Sequence, residues 1–150
     1  RDFFLKKNFQ AMVSYHSFSQ TILYPWGYTT QAPDKEALLL DIAANMSALI
    51  REVNGRVYSY GRAGQALYLT NGDTVDWVFG TSSIPAYTIE LPPVDEMSGG
   101  FFNSEADIAG IFEENLPAML YLVERSTQDY QPQGTGVRLD KWIDKSWPIR

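Results

Sequence analysis

The chain has 150 residues, enough for one ordinary domain with a real hydrophobic core, and its 45% hydrophobic and 14% aromatic content argues against disorder. Its formal charge of -6 argues against nucleic acid as a partner, which would need a basic face, and no apolar run reaches the length of a membrane span. With no cysteine there is neither a disulfide nor a thiolate metal site.

Arg1-Asp2-Phe3-Phe4-Leu5-Lys6-Lys7-Asn8 reads as the end of a helix: apolar residues, then basic ones in a last turn, then Asn. No cap or signal peptide precedes it. The expectation is therefore the C-terminal part of a larger domain, with a short amphipathic N-terminal helix as the plainer reading. Residues 9–16 alternate, with Phe9, Ala11, Val13 and Tyr15 on one side and Gln10, Met12, Ser14 and His16 on the other. That period predicts a strand. A second short strand is expected over 19–24, ended by Pro25-Trp26-Gly27. Ala32-Pro33-Asp34 opens the clearest helix, with Asp34 as its N-cap. Leu38, Leu39, Ile42, Met46, Leu49, Ile50 and Val53 give helical spacing, and Asn54-Gly55 closes it.

Residues 57–60 read as extended, 61–65 as a loop of small residues, and 66–70 as extended. Asn71-Gly72-Asp73 is a turn with a capping residue, followed by a short helix over 74–79. Residues 87–91 form a strand, stopped by Pro92-Pro93. An acidic loop spans 94–100. Ser104 caps a long helix reaching to about 125, with Pro117 expected to bend it. The tail from Ser126 is rich in Gln, Thr, Gly and Pro, and its 139–147 segment carries Trp142 and Trp147, expected to dock back onto the domain. Alternating strands and helices point to an α/β fold. The division is residues 1–125 as the domain and 126–150 as an extension with no assigned role.

The chemistry is carried by a few short runs. His16 is the only histidine, in Tyr15-His16-Ser17-Phe18-Ser19-Gln20-Thr21-Ile22-Leu23-Tyr24-Pro25-Trp26-Gly27-Tyr28. A lone histidine is more often structural than a ligand, and a zinc site needs about three protein ligands. Further on come Tyr58-Ser59-Tyr60-Gly61, then Tyr68-Leu69-Thr70-Asn71-Gly72-Asp73-Thr74-Val75-Asp76-Trp77, then Tyr87-Thr88-Ile89-Glu90-Leu91. By itself Glu90 reads as a strand-end carboxylate on the surface, Tyr68 as an ordinary core or rim aromatic, and Asp76-Trp77 as a capping or pairing Asp beside a packing Trp. A carboxylate beside Leu91 and Pro92 is also placed where burial raises its pKa.

In order, gaps and chemistry these runs resemble the zinc metallocarboxypeptidases of the carboxypeptidase A/B/T type, over roughly residues 1–125. The resemblance implies the C-terminal half of a mixed-sheet fold with helices on both faces. It implies Zn2+ as cofactor, His16 as the third zinc ligand, and Glu90 as the general base that takes a proton from the water and passes it to the leaving amine. It implies that Tyr68 closes over the substrate's C-terminal residue and that Ser17 flanks the substrate backbone. Val75 would sit at the base of the specificity pocket, with Ala63 and Thr88 in its wall. It also implies strained or cis peptide bonds near Ser17-Phe18 and Pro25-Trp26.

Val75 suits a hydrophobic C-terminal residue, and Asp73 adds a carboxylate a basic one could reach. That pairing resembles the broad-specificity carboxypeptidase T type, although Asp73 reads equally well as a helix cap. The departures are as informative. The family's His-x-x-Glu motif is absent, and so are the arginines that would bind the substrate carboxylate; Arg56 and Arg62 stand at other positions. The expectations are peptide or protein C-termini as substrate, an N-terminal half of the same domain as partner, no nucleic acid, no membrane, and a secreted or extracellular setting. Two alternatives stay open: a non-catalytic relative serving as an interaction domain, and a cell-wall peptide peptidase of the same fold.

Overall fold

Four strands form one mixed sheet, in the order β1-β4-β2-β3, in a computed structural model that describes residues 1–128. They are β1 Met12–Ser17, β2 Thr21–Tyr24, β3 Ser59–Arg62 and β4 Ala86–Leu91. β1 is parallel to β4, β4 antiparallel to β2, and β2 parallel to β3. The helices are α1 Asp2–Leu5, α2 Glu36–Asn54, α3 Ala63–Ala66, α4 Thr74–Ser82 and α5 Ile108–Thr127.

The strand period of two decides what each face carries. On β4, Tyr87 and Ile89 are fully buried, and the Tyr87 hydroxyl donates to the Leu39 carbonyl of α2 at 3.0 Å. Tyr15 of β1 faces the same way and lines an apolar groove together with Ile111 and Phe112 of α5. Thr88 and Glu90 alternate to the opposite face, as do Ser14 and His16 of β1. There α4 packs, with Trp77 and Val78 beside Met12. Helices therefore cover both faces of the mixed sheet, as expected.

The core lies between the sheet and α2. Leu39, Ile42, Met46 and Ile50 project from one stripe of α2 and meet Ile22, Tyr58, Tyr87, Ile89, Ala118 and Leu122. Each large apolar side chain buried in this way contributes about 1.5–3 kcal/mol. Among the described residues one buried side chain carries an acid group. Glu114 of α5 is 0% exposed and accepts from Asn54 Nδ2 at 2.5 Å, Arg56 Nη1 at 2.7 Å and the Tyr58 hydroxyl at 2.8 Å. It ties α5 to the end of α2 and to the lead into β3, and its three donors offset the cost of burying it.

Several local expectations are corrected. Asp34 does not cap α2. The helix starts at Glu36, after Lys35 in the left-handed region at φ 64, and the Glu36 amide bonds the Pro33 carbonyl, so a backbone turn replaces the side-chain cap. Its end is as read, with Gly55 at φ 83 donating to the Arg51 carbonyl. Residues 63–66 are helical rather than a loop, and 66–70 hold no strand. Ser104 caps a 3-10 turn, Glu105–Asp107, and α5 follows it and runs on through Pro117 as one element. Among the described residues β1 pairs only with β4, so its other edge is open. Trp142 and Trp147 lie outside the described residues.

Candidate active site

β1 and β4 place one polar residue each at their C-terminal ends, on the same face. His16 and Glu90 are register partners, and neighbouring strands lie about 4.8 Å apart. Both open into a cavity of about 330 Å³. Ala63, Tyr68, Asp73 and Thr88 line the same cavity, so six of the eight residues singled out from sequence come together there. Tyr68 is 69% exposed at the rim. Asp73 caps α4, its Oδ1 accepting from the Val75 amide at 3.0 Å, and it faces the cavity as well; the two readings of it are compatible.

Ser17 and Val75 are not in the wall. Alternation along β1 turns Ser17 away from the His16 face, to a place opposite Leu91 at the strand end. Val75 is 0% exposed because α4 turns it into the core, leaving its neighbours Asp73 and Thr74 in the wall. The Ser17–Phe18 and Pro25–Trp26 peptide bonds are both cis, as is Pro92–Pro93.

Glu90 is half-buried. Burial pushes its carboxyl above the usual carboxylate range, and the charge of nearby His16 pulls it part of the way back. That is the environment of a carboxylate that takes up a proton more readily than one in water. His16 is exposed, and its Nε2 lies 2.8 Å from Ser14 Oγ. The bond fixes the ring and leaves Nδ1 without a partner among the described residues.

Sequence reading missed Ser14, although it stands two residues before His16 on the same strand face, and that period was the available signal. Leu23, Thr70 and Asn71 were missed too. Leu23 comes from another strand, and Thr70 and Asn71 from a loop whose course is set by tertiary contacts, so no local pattern marks them.

A catalytic zinc needs about three protein ligands. The chain has one histidine and no cysteine, and among the described residues no three His, Cys, Asp or Glu side chains come together. These residues do not make a zinc site by themselves; His16 can supply one ligand. No helix among them is long and apolar enough to cross a membrane.

Comparison with known proteins gives the same family from three directions. Zinc carboxypeptidase A 1 of Anopheles gambiae is 32% identical over 124 residues, covering 82% of this chain and 29% of the mosquito protein. Carboxypeptidase A1 of Mus musculus is 32% identical over 122 residues, covering 81% of this chain and 28% of the mouse protein. The chain thus spans under a third of the length of these relatives. Among solved structures, thrombin activatable fibrinolysis inhibitor superposes with a TM-score of 0.79 at 25% identity, covering 85% of this chain and 32% of that one. The bovine form of that protein, in complex with tick carboxypeptidase inhibitor, superposes with a TM-score of 0.73 at 25% identity, covering 79% of this chain and 40% of that one. The zinc carboxypeptidase family model matches residues 1–118, most of the 150-residue chain, and the chain therefore belongs to the zinc carboxypeptidase family.

Proposed function

We propose that this chain forms part of a secreted zinc peptidase that hydrolyses the C-terminal peptide bond of peptides and proteins. The observation that carries the reading is the pairing of His16 with Glu90 at the mouth of one cavity. His16 supplies a single zinc ligand through Nδ1, and the other ligands come from a segment outside these residues that carries a His-x-x-Glu motif. That segment also completes the sheet on the open edge of β1. A bound zinc would supply Lewis-acid polarisation of the scissile carbonyl.

The chain's own residues do the rest. Glu90 takes a proton from the attacking water and hands it to the leaving amine. Its half-buried position suits both steps: burial lifts its carboxyl above the ordinary carboxylate range, so it holds the proton between taking it and returning it. Tyr68, exposed at the rim, closes over the terminal residue of the substrate. Ala63 and Thr88 bound the pocket that receives that residue's side chain, and Val75 backs it from the core. Asp73 extends the range of accepted side chains from apolar to basic. Ser17 follows His16 at the strand end but is turned from the cavity, so its side chain takes no part in this pocket.

The test is release of C-terminal residues by the polypeptide that carries the full ligand set, in wild-type form and as His16→Ala. The reading expects one bound zinc and C-terminal residue release in the wild type, and loss of both in the variant. Zinc content and activity unchanged in His16→Ala would remove it.

A further inference from the structure

We infer that Asp76 is a positioning residue for the substrate pocket: its carboxylate fixes the Trp26-Gly27-Tyr28 turn, and that turn fixes the 64–73 segment which carries Tyr68, Thr70 and Asp73 over the cavity. This rests on the reading above, in which that cavity receives the substrate's terminal residue.

The geometry is a relay of backbone bonds. Asp76 stands in the first turn of α4 and is half-buried. Its two oxygens each accept from the Gly27 amide at 2.9 Å, and one also accepts from the Tyr28 amide at 3.1 Å. Among the described residues no lysine or arginine forms an ion pair with it, so these amides are its compensation for burial. With the amides of the turn held, its carbonyls are free for the neighbouring segment. The Trp26 carbonyl accepts from the Gly64 amide at 2.9 Å, and the Gly27 carbonyl accepts from the Thr70 amide at 3.0 Å.

The contact is backbone against backbone. A Cβ on Gly64 would stand 2.7 Å from the Thr29 carbonyl oxygen and 2.8 Å from that of Gly27. A Cβ on Gly27 would stand 2.4 Å from Thr70 Oγ1. Glycine at both positions is what lets the turn and the segment meet. Leu67 and Tyr68 lie between the two anchors at Gly64 and Thr70, and Tyr68 is 69% exposed. The rim tyrosine thus has an exposed side chain on a span pinned at both ends, and the pins lead back to one carboxylate. Asp76 touches no substrate; it acts through Gly27 and Tyr28.

The experiment uses the polypeptide with its full ligand set and compares Asp76→Asn and Asp76→Ala with the wild type. Asn keeps one acceptor oxygen for the turn, and Ala keeps none. The inference expects unchanged zinc content, kcat within about twofold, and KM raised about tenfold in Asp76→Ala and by less in Asp76→Asn, the size expected when hydrogen bonds to a charged group are lost. It also expects faster hydrogen exchange at the Gly64 and Thr70 amides in both variants. A lower melting temperature with KM and both exchange rates unchanged overturns it and leaves Asp76 a merely structural residue. If Asp76→Ala does not fold, Asp76→Asn decides by the same readouts. If the wild type releases no C-terminal residues, the peptidase reading fails by itself, and unaltered exchange at Gly64 and Thr70 in Asp76→Asn would still sink the positioning role.

Discussion

His16 and Glu90, far apart in sequence, are direct partners across two parallel strands, with both side chains on the face that carries Ser14 and Thr88. A parallel pairing of this kind needs a long crossover, and here the crossover runs through β2, α2, β3, α3 and α4. Along it, β2, α3, the 67–73 loop and the start of α4 supply cavity wall, so one topological step brings the candidate ligand, the candidate base and the pocket together.

The first prediction concerns the base. In the polypeptide with its full ligand set, Glu90→Gln keeps the shape and half-buried environment of the side chain but cannot take a proton. Bound zinc should stay at one equivalent while kcat falls by about 10²–10⁴, the range for loss of a general acid–base group. Metal analysis with steady-state kinetics checks both. Activity within about threefold of the wild type would exclude Glu90 as the base.

The second concerns selectivity. Asp73→Asn removes a charge from the cavity wall but keeps an oxygen able to cap α4 at the Val75 amide. Release of C-terminal Lys or Arg should fall roughly fivefold in kcat/KM, the worth of one charge near the surface. Release of C-terminal Phe or Leu should not change. Equal losses on both substrate types would mean that Asp73 acts only as a cap.

A third concerns stability. Removing the buried Glu114 carboxylate takes away the acceptor for the Tyr58 hydroxyl proton, leaving that buried oxygen only the bond donated by Asn115, and opens a void beside the core; Asn54 is exposed and turns to solvent. Glu114→Ala should cost about 3 kcal/mol in urea unfolding. The Arg56 part of this is small, because that side chain is 36% exposed and can be solvated instead. A cost under about 1 kcal/mol would show that the network adds little.

The fourth is alkaline. Burial holds the Tyr87 hydroxyl protonated well above its ordinary value, and the nearby Tyr121, Tyr24 and Asp41 act in the same direction. An unfolded chain ionises its tyrosines at about pH 10. The folded-state pKa is the raised one, so the stability linked to this group is fully present below about pH 10 and is lost as pH climbs toward the folded value. Tyr87→Phe removes that titration along with one bond to the Leu39 carbonyl. At pH 7 it should be less stable by about 1 kcal/mol, and its loss of stability above pH 10 should be shallower. Denaturant melts at pH 7, 10 and 11 test this, and parallel losses in both proteins would contradict it.

What could be read from the sequence follows from what is local. The alternation that put His16 on one side of its strand, and the 3.6 period of Leu39, Ile42, Met46 and Ile50, are properties of a few turns of chain. Both reappear in the fold. Asp34 failed as a cap because the backbone turn at Pro33 and Lys35 took over that role, and a sequence pattern does not separate a side-chain cap from a backbone one. Residues 63–66 bend into a helix because Gly64 docks on the Trp26 carbonyl, a contact from a distant part of the chain. Glu114 lay hidden because an acidic residue in an amphipathic helix reads as its solvent face; only its three donors make burial tolerable. Six of the candidate site residues converge, while Ser17 and Val75 do not, since strand and helix turn them away from the wall.

On the proposed function, these residues give one zinc ligand, a base and a pocket, and the remaining ligands lie outside them. The most direct measurement is zinc stoichiometry, with C-terminal residue release, for residues 1–150 alone and after mixing with a polypeptide that carries the His-x-x-Glu motif. Alone, the chain should bind zinc weakly and tend to associate through the open edge of β1. Mixed, the pair should hold one tightly bound zinc and release C-terminal residues. A monomeric 150-residue protein that binds zinc tightly and cleaves C-terminal residues unaided would contradict the account.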